Sequence, residues 1–294
     1  MENIMCKNQY AGNGFALFNG DSCEVMKAIP DNSIHYSIFS PPFAQLYVYS
    51  NSVRDLGNCR DTTEFYNQFE YILKELHRIM IPGRLVSMHC MDLPTQKQRD
   101  GFIGLEDFPG QLIKMMQDVG FIYHSRVTIW KDPVVAMQRT KALGLLHKQI
   151  KKDSAMCRQG IADYIITFRK DGENPERITH TDETFPVSKW QNYASPVWMD
   201  INQSNTLQKE SAREQADEKH ICPLQLDVIE RCIELWTNPE DIVFTPFLGI
   251  GSECYQALKM GRRAVGIELK ESYYNQAVAN CSGIVSAPKK KKLF

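Results

Sequence analysis

Short apolar runs bounded by turn residues alternate along the chain with stretches in which apolar residues recur at helical spacing. The runs predict buried strands, and recurrence every three to four residues predicts helices that pack against them. The predicted strands lie at 15–18, 34–39, 85–90, 121–130, 161–168, 242–244 and 263–267. The predicted helices lie at 23–29, 61–80, 112–119, 226–236 and 252–260. This alternation predicts an α/β fold, in which strands 121–130 and 161–168 pair antiparallel because no suitable helix separates them.

The strand at 34–39 is followed by Ser40-Pro41-Pro42-Phe43. Proline has no N–H and a fixed φ, so two prolines end the sheet ladder and hold the chain stiff. In open α/β sheets, ligands bind beyond the carboxyl ends of the strands. A hydroxyl, two carbonyls and an aromatic ring at that edge could hold a flat ring that carries an exocyclic amine. Taken alone, the segment is more typical of a strand-ending loop with its phenylalanine in the core.

A glycine-rich turn at 247–251, which reads F-L-G-I-G, lies between strand 242–244 and helix 252–260. Glycine lets a ligand approach the backbone closely, and the helix points its free N–H groups at the turn. Glu268 ends the next strand, 19 residues after Gly249. Carboxylates about 20 residues past such a turn meet ribose hydroxyls in nucleotide-binding βαβ units. The pattern leaves NAD and S-adenosylmethionine both open.

The two segments together resemble motifs of the DNA amino-methyltransferases, which methylate the N4 of cytosine or the N6 of adenine. Residues 245–251 are similar to the family's S-adenosylmethionine loop, usually D-P-F-x-G-S-G, with Thr245 and Ile250 as departures. Residues 220–225 are similar to a degenerate H-P-x-x-K-P segment, and residues 19–21 to a G-D segment. The resemblance covers about residues 21–280, in the circularly permuted order called the β class.

The resemblance implies a Rossmann-like methyltransferase fold with S-adenosylmethionine as the cofactor. The implied sheet is doubly wound, mostly parallel and seven-stranded, with one antiparallel edge strand and an inserted target-recognition region. The implied catalytic residues are Ser40, Pro41, Pro42 and Phe43. The implied cofactor-binding residues are Asp21, His220, Pro223, Thr245, Phe247, Gly249, Gly251 and Glu268. Asp21 is equally well placed to cap the helix at 23–29.

The implied chemistry acts on an amine that is a poor nucleophile, because its lone pair is delocalised into the base. The Ser40 hydroxyl and the Pro41 carbonyl would accept its two hydrogens, and Phe43 would stack on the base. The methyl carbon of the sulfonium would then lie in line for attack. A duplex base cannot reach such a pocket, so base flipping is expected. Serine at the first position resembles the cytosine-N4 subset, which places N4 of cytosine slightly ahead of N6 of adenine.

A basic stretch at 131–160 holds seven basic residues against two acidic ones, in a chain of net charge -1. It is the best candidate for a DNA surface, with a solvated helical face as the alternative. The candidate DNA-binding residues are Arg139, Lys141, Lys148, Lys151, Lys152 and Arg158. The polar stretch 170–219 is expected to be a second recognition insert or a linker that wraps the domain.

These segments divide the chain into a catalytic part at 15–130 and 161–169 and a cofactor-binding part at 220–282. The inserts lie at 131–160 and 170–219, and a basic tail occupies 283–294. With 43% hydrophobic and 23% charged residues, the 294 residues fit one large α/β domain with insertions. No apolar run approaches the roughly 18 residues of a membrane span.

The nine cysteines are scattered without a C-x-x-C pair, which argues against a zinc site and a disulfide framework. This usage is typical of a reducing compartment, here a bacterial or phage-host cytosol. Double-stranded DNA is the expected partner, no metal is expected, and a homodimer and a cognate restriction enzyme both stay open. Two other functions also stay open: a DNA-binding module with a decayed active site, and a methyltransferase for RNA or a protein amide.

Overall fold

The computed structural model describes residues 5–42, 62–140, 143–207 and 223–286, and in that part of the chain one sheet of nine strands dominates. Phe43, Lys141 and His220 lie outside the described residues, as does the predicted loop at 44–60. The strands of this sheet are β1 (Asn8–Gly12), β2 (Phe15–Asn19), β3 (Ile34–Phe39), β4 (Met80–Met91), β7 (Phe121–Ile129), β8 (Asp163–Lys170), β9 (Val197–Trp198), β10 (Ile242–Thr245) and β11 (Arg263–Glu268). A separate short pair consists of β5 (Leu93–Pro94) and β6 (Leu105–Glu106).

Ten α-helices surround the strands in the described residues. They are α1 (Ser22–Met26), α2 (Thr62–Ile79), α3 (Lys97–Asp100), α4 (Phe108–Asp118), α5 (Pro133–Thr140), α6 (His147–Lys152), α7 (Val187–Tyr193), α8 (Leu226–Trp236), α9 (Ser252–Lys259) and α10 (Glu271–Ser286). The long helix α2 shows why the apolar pattern is a good guide. Its stripe of buried side chains is spaced by three or four residues and consists of Phe65, Phe69, Ile72, Leu76 and Ile79.

The strand order is β1-β2-β11-β10-β3-β4-β8-β7-β9. The five strands from β2 to β4 are parallel to one another, and β8 is antiparallel to both of its neighbours. The prediction of a doubly wound, mostly parallel α/β sheet is confirmed. So is the antiparallel pairing of the strands predicted at 121–130 and 161–168.

The sheet differs from the seven-stranded expectation at its edges. The short strands β1 and β9 raise the count to nine, and β1 is itself an antiparallel edge strand. Its five residues are mostly exposed and polar, so no apolar pattern marks it. The strand β8 lies between β4 and β7, since its mostly buried residues gain hydrogen bonds from two neighbours there.

Helices cover both faces of the sheet, each over its own apolar core. One core joins α1, α2 and α4 to the strands, and the other joins α8, α9 and α10. The α10 helix was missed by the sequence pattern, although its buried Tyr274, Ala277 and Cys281 complete the second core. Two covered faces are what a parallel sheet requires.

The described part of the polar stretch 170–219, residues 170–207, contributes to the α/β domain. Its β9 strand pairs parallel with β7, and Trp198 is fully buried. The Tyr193 hydroxyl donates a hydrogen bond to Glu234 of α8 at 2.9 Å. Arg231 of α8 pairs with Asp200 at 2.6 Å and lies 5.2 Å from the Trp198 ring. The described part of this stretch therefore packs against α8 and β7 of the domain.

No helix in the described residues combines the length and the apolar character needed to cross a membrane. Seven cysteines lie in the same part of the chain, and all are free thiols.

Candidate active site

The two loops singled out in the sequence leave the sheet at the same edge. The parallel pairing of β3 with β10 places Ser37 opposite Phe244. The strands end at Phe39 and Thr245, only one or two residues further on. Ser40 therefore lies beside the start of the loop at 245–251, hereafter the glycine loop.

Ser40 is half-buried and contacts a histidine from the neighbouring strand. Its Oγ lies 3.0 Å from Nδ1 of His89, which is on β4. The other ring nitrogen of His89, Nε2, lies 3.1 Å from Oδ2 of Asp163, the first residue of β8. Since β8 is antiparallel, its first residue lies where β4 and β7 end. The Ser40 loop is thus connected to a buried carboxylate through an imidazole.

The Asp163 carboxylate has a second partner. Its Oδ1 lies 2.5 Å from Nζ of Lys131, just after the end of β7. Burial opposes ionisation of Asp163, but His89 and Lys131 outweigh burial and hold the pKa of this carboxyl below its usual value. Asp163 is therefore an anion at neutral pH. Lys131, counted in the sequence as part of the basic stretch, is occupied by this ion pair.

The glycine loop is held open by Glu268 at the end of β11. One carboxylate oxygen of Glu268 accepts the Gly249 N–H at 2.8 Å, and the other accepts the Lys270 N–H at 2.8 Å. Gly249 has φ +53, and a Cβ added there would meet nothing within 4 Å. Gly251 has φ +92, and its added Cβ would lie 3.1 Å from Cβ of Ala277. Backbone and carboxylate thus line an open cradle of the kind a nucleotide-like cofactor requires.

The two departures from the usual glycine loop have structural roles here. Thr245 is fully buried, and its Oγ1 accepts the Phe247 N–H at 3.4 Å. Ile250 is buried against Tyr273. Phe247 packs against Phe39, with ring centroids 5.7 Å apart. For Phe247, core packing and a place beside the cradle therefore coexist.

Asp21 caps a helix, as one of its two predicted roles required. Its Oδ1 accepts the Cys23 N–H at 2.9 Å, at the start of α1. The next residue, Ser22, donates its hydroxyl hydrogen to the Pro246 carbonyl at 2.5 Å. The Asn19 amide donates to the Glu268 carbonyl at 2.9 Å. The turn after β2 is therefore fastened to the glycine loop and to β11, which places Asp21 at the rim of the cradle.

Pro223 is half-buried three residues before α8. The Asn205 carbonyl accepts the Leu226 N–H at 2.8 Å, and nearby Leu207 packs against Ile250 of the glycine loop. The amino end of α8 is therefore joined through residues 205–207 to the loop. His220, which belongs to the same predicted segment as Pro223, lies outside the described residues.

The basic stretch is helical and largely solvated. Lys148, Lys151 and Lys152 are exposed on or beside α6. Arg158 is half-buried and donates to the Gln159 carbonyl at 3.0 Å, and burial lowers the pKa of its guanidinium. Arg139 lies on α5. The structure therefore leaves three of the six predicted DNA contacts as exposed lysines.

Sequence reasoning missed three residues of the site: His89, Asp163 and Lys131. His89 lies in a mostly apolar strand two residues before its end, and such a polar residue was a usable signal. Asp163 begins an apolar strand, and only the antiparallel direction of β8 brings it to this edge.

A family model described as DNA methylase matches residues 34–279. The chain is 22% identical over 270 residues to the Type II methyltransferase M.BglII of Bacillus subtilis, covering 91% of this chain and 69% of that protein.

Two solved structures share the fold. The PvuII DNA methyltransferase, described as cytosine-N4-specific, matches with a TM-score of 0.68 at 18% identity, covering 98% of this chain and 92% of that one. The M1.HpyAVI–SAM complex matches with a TM-score of 0.53 at 14% identity, covering 90% of this chain and 98% of that one.

Proposed function

Because the chain belongs to the DNA methylase family, we propose that it methylates the N4 amine of a flipped cytosine in double-stranded DNA. It is a site-specific DNA methyltransferase, and S-adenosylmethionine is its cofactor. One observation carries the assignment of the site: Ser40 and the glycine loop leave the sheet at the same edge.

The residues of the cradle fit the cofactor. Gly249 leaves open space where a side chain would stand, and the Glu268 carboxylate lies beside it. Glu268 would take the ribose hydroxyls, Asp21 the adenine, and the N–H groups at the start of α9 would face the cofactor. Bound S-adenosylmethionine supplies an electrophilic methyl group. Thr245, Phe247, Gly251 and Pro223 would shape the walls around it, with His220 beside Pro223.

The Ser40 loop would hold the base. Ser40 Oγ and the Pro41 carbonyl accept the two amine hydrogens, which moves the nitrogen toward a tetrahedral state and exposes its lone pair. Pro42 keeps the loop stiff, and Phe43 stacks on the ring. Flipping is required because a stacked base cannot reach this edge of the sheet.

Ser40 supports cytosine as the target. A hydroxyl in the first position resembles the cytosine-N4 subset of the family, and its neutral oxygen accepts a hydrogen bond from the amine without a full charge beside the base. Exposed Lys148, Lys151 and Lys152 support a phosphate contact in the basic stretch. The Type II name of M.BglII supports a cognate restriction enzyme as a partner.

The test is methyl transfer from labelled cofactor to duplex DNA, followed by mass spectrometry of the nucleosides. Ser40→Ala should lower kcat about 10²-fold, since one acceptor at the reacting nitrogen is lost. Ser33→Ala is the matched control, because Ser33 precedes the opposite end of the same strand and its hydroxyl donates to the Pro30 carbonyl. N4-methylcytosine is the expected product.

Three results would count against the proposal. Equal kcat for Ser40→Ala and the wild type would remove Ser40 from the chemistry. N6-methyladenine alone as the product would overturn the choice of base. Label transferred to RNA or protein in preference to duplex DNA would favour the alternative substrates.

A further inference from the structure

We propose that His89, held by Asp163, is a positioning residue that turns the Ser40 oxygen toward the target amine and takes up the proton that the amine releases. The inference rests on the proposed function, because it concerns the same reacting nitrogen. It adds two residues that carry no motif of their own.

The first step concerns the hydrogen on Ser40. A serine hydroxyl has one hydrogen to donate and two lone pairs with which to accept. With Oγ 3.0 Å from His89 Nδ1, the hydroxyl can donate to the ring only if Nδ1 carries no proton. Its lone pairs are then available to the amine. If Nδ1 were protonated, it would occupy one of the two lone pairs, and the hydroxyl hydrogen, with no acceptor in the ring, could turn toward the amine.

The second step fixes the tautomer of His89. Its Nε2 lies 3.1 Å from Oδ2 of Asp163, and an ionised carboxylate can only accept. The ring proton is therefore favoured on Nε2, which leaves Nδ1 as the acceptor for Ser40. Lys131, 2.5 Å from the other Asp163 oxygen, keeps the carboxylate charged. The contact is close but not aligned as a hydrogen bond, so Asp163 acts through its charge, which favours the proton on the nearer ring nitrogen.

The third step concerns the strength of the Ser40 hydroxyl as a hydrogen-bond acceptor. A neutral hydroxyl is a weaker acceptor than a carboxylate. Here a buried carboxylate stands behind the hydroxyl, separated from it by one imidazole ring, and His89 and Asp163 are both largely shielded from water. Hydrogen bonds in such a chain polarise one another. The arrangement therefore gives the Ser40 hydroxyl part of the acceptor strength of a carboxylate without placing a charge beside the cytosine ring.

Ser40 and His89 together can take up the proton that the amine releases. The new C–N bond forms as the C–S bond breaks, and the sulfur keeps the electron pair of that bond. The amine nitrogen then holds one proton too many, which passes to Ser40 Oγ as the Ser40 proton passes to His89 Nδ1. The resulting imidazolium lies between Ser40 and Asp163, and it returns its proton to water after the product leaves.

Two amide variants separate the two contacts of His89. His89→Asn places its amide oxygen near the position of Nδ1 and keeps an acceptor for Ser40. His89→Gln reaches toward the position of Nε2 and keeps only the contact with Asp163. We expect kcat to fall about 10-fold for His89→Asn and about 10²-fold for His89→Gln, with KM values unchanged. A purely structural role would not give this order.

A second pair tests the relay by rescue. Ser40→Asp supplies a charged acceptor directly, so His89→Ala in that background should change kcat less than about threefold. In the Ser40 background the same change should cost about 10²-fold. Thermal unfolding of every variant shows that the folded protein is being compared.

The outcomes are distinguishable. A wild type that transfers no methyl group to DNA overturns the proposed function and this inference with it. An active wild type with equal kcat for His89→Asn and His89→Gln overturns the inference alone. If Ser40→Asp proves inactive, the order of the two amide variants still decides the question.

Discussion

The two ends of the sheet carry the same three chemical groups, an imidazole, a carboxylate and a cation, and use them differently. At the carboxyl edge they are His89, Asp163 and Lys131. At the amino edge, where β3 and β10 begin, they are His35, Asp241 and Arg84. The exposed Glu176 adds a second carboxylate there, 3.8 Å from His35 Nε2 and 3.9 Å from Arg84 Nη2. Arg84 Nη1 lies 3.0 Å from Asp241 Oδ2, and His35 Nε2 lies 3.6 Å from Asp241 Oδ1.

The difference lies in what the remaining ring nitrogen meets. His35 Nδ1 accepts the backbone N–H of Ile242 at 3.2 Å, so the network at the amino edge closes on the main chain. His89 Nδ1 meets the side chain of Ser40, which has lone pairs to offer a ligand. The same set of groups therefore serves the fold at one edge and the proposed chemistry at the other.

The largest expected effect breaks the amino-edge network. Asp241→Ala leaves the fully buried Arg84 without its carboxylate partner at 3.0 Å, and removing one member of a buried pair costs about 3–5 kcal/mol. Urea unfolding should show this loss. Asp118→Ala is the control, because its pair with Lys114 is exposed, and it should cost under about 1 kcal/mol. Equal losses would contradict the comparison.

The corresponding substitution in the network at the carboxyl edge is Asp163→Asn. The tautomer of His89 is then no longer fixed, so we expect kcat to fall about 10²-fold. The loss of stability should be smaller than for Asp241→Ala, because the Lys131 side chain is 25% exposed and can turn to water. A fall in activity that only follows the unfolded fraction would make Asp163 a structural residue.

A third buried carboxyl, Glu253 in the first turn of α9, lies next to the glycine loop. Burial raises the pKa of Glu253 to about 8, above its ordinary value of 4.5. The folded state therefore keeps a proton that the unfolded state loses, and its contribution to stability falls as pH rises from 4.5 through about 8.

Glu253→Gln removes this titration. The unfolding free energy of the variant, relative to the wild type, should rise between pH 5.5 and pH 8.5. Glu271→Gln, at an exposed position of α10, is the matched control for replacing a carboxyl by an amide. A pH-independent difference for Glu253→Gln would show that this carboxyl does not keep its proton.

The elements with clear apolar periods were predictable from sequence. The α8 helix and β3 have the predicted bounds. In the βαβ unit around the glycine loop, each element begins at the predicted residue and ends one residue away from the predicted end. The polar strand β1 and the helix α10 were not predictable from sequence, because exposed or mixed residues produce no regular spacing of apolar positions. One part of the candidate site was predictable from sequence, since Ser40, Gly249 and Glu268 lie in recognisable motifs.

The sequence by itself determined the two loops, the spacing of Gly249 and Glu268, and the family resemblance, because turn chemistry and strand ends are local properties. Only the tertiary structure decided that Asp163 reaches the edge of the sheet where β4 and β7 end, since that depends on the direction of β8 within the sheet. The same holds for Lys131, which the sequence grouped with the DNA-facing charges and the fold pairs with Asp163. Local pattern fixes which residues end a strand, whereas the pairing of strands fixes which ends meet.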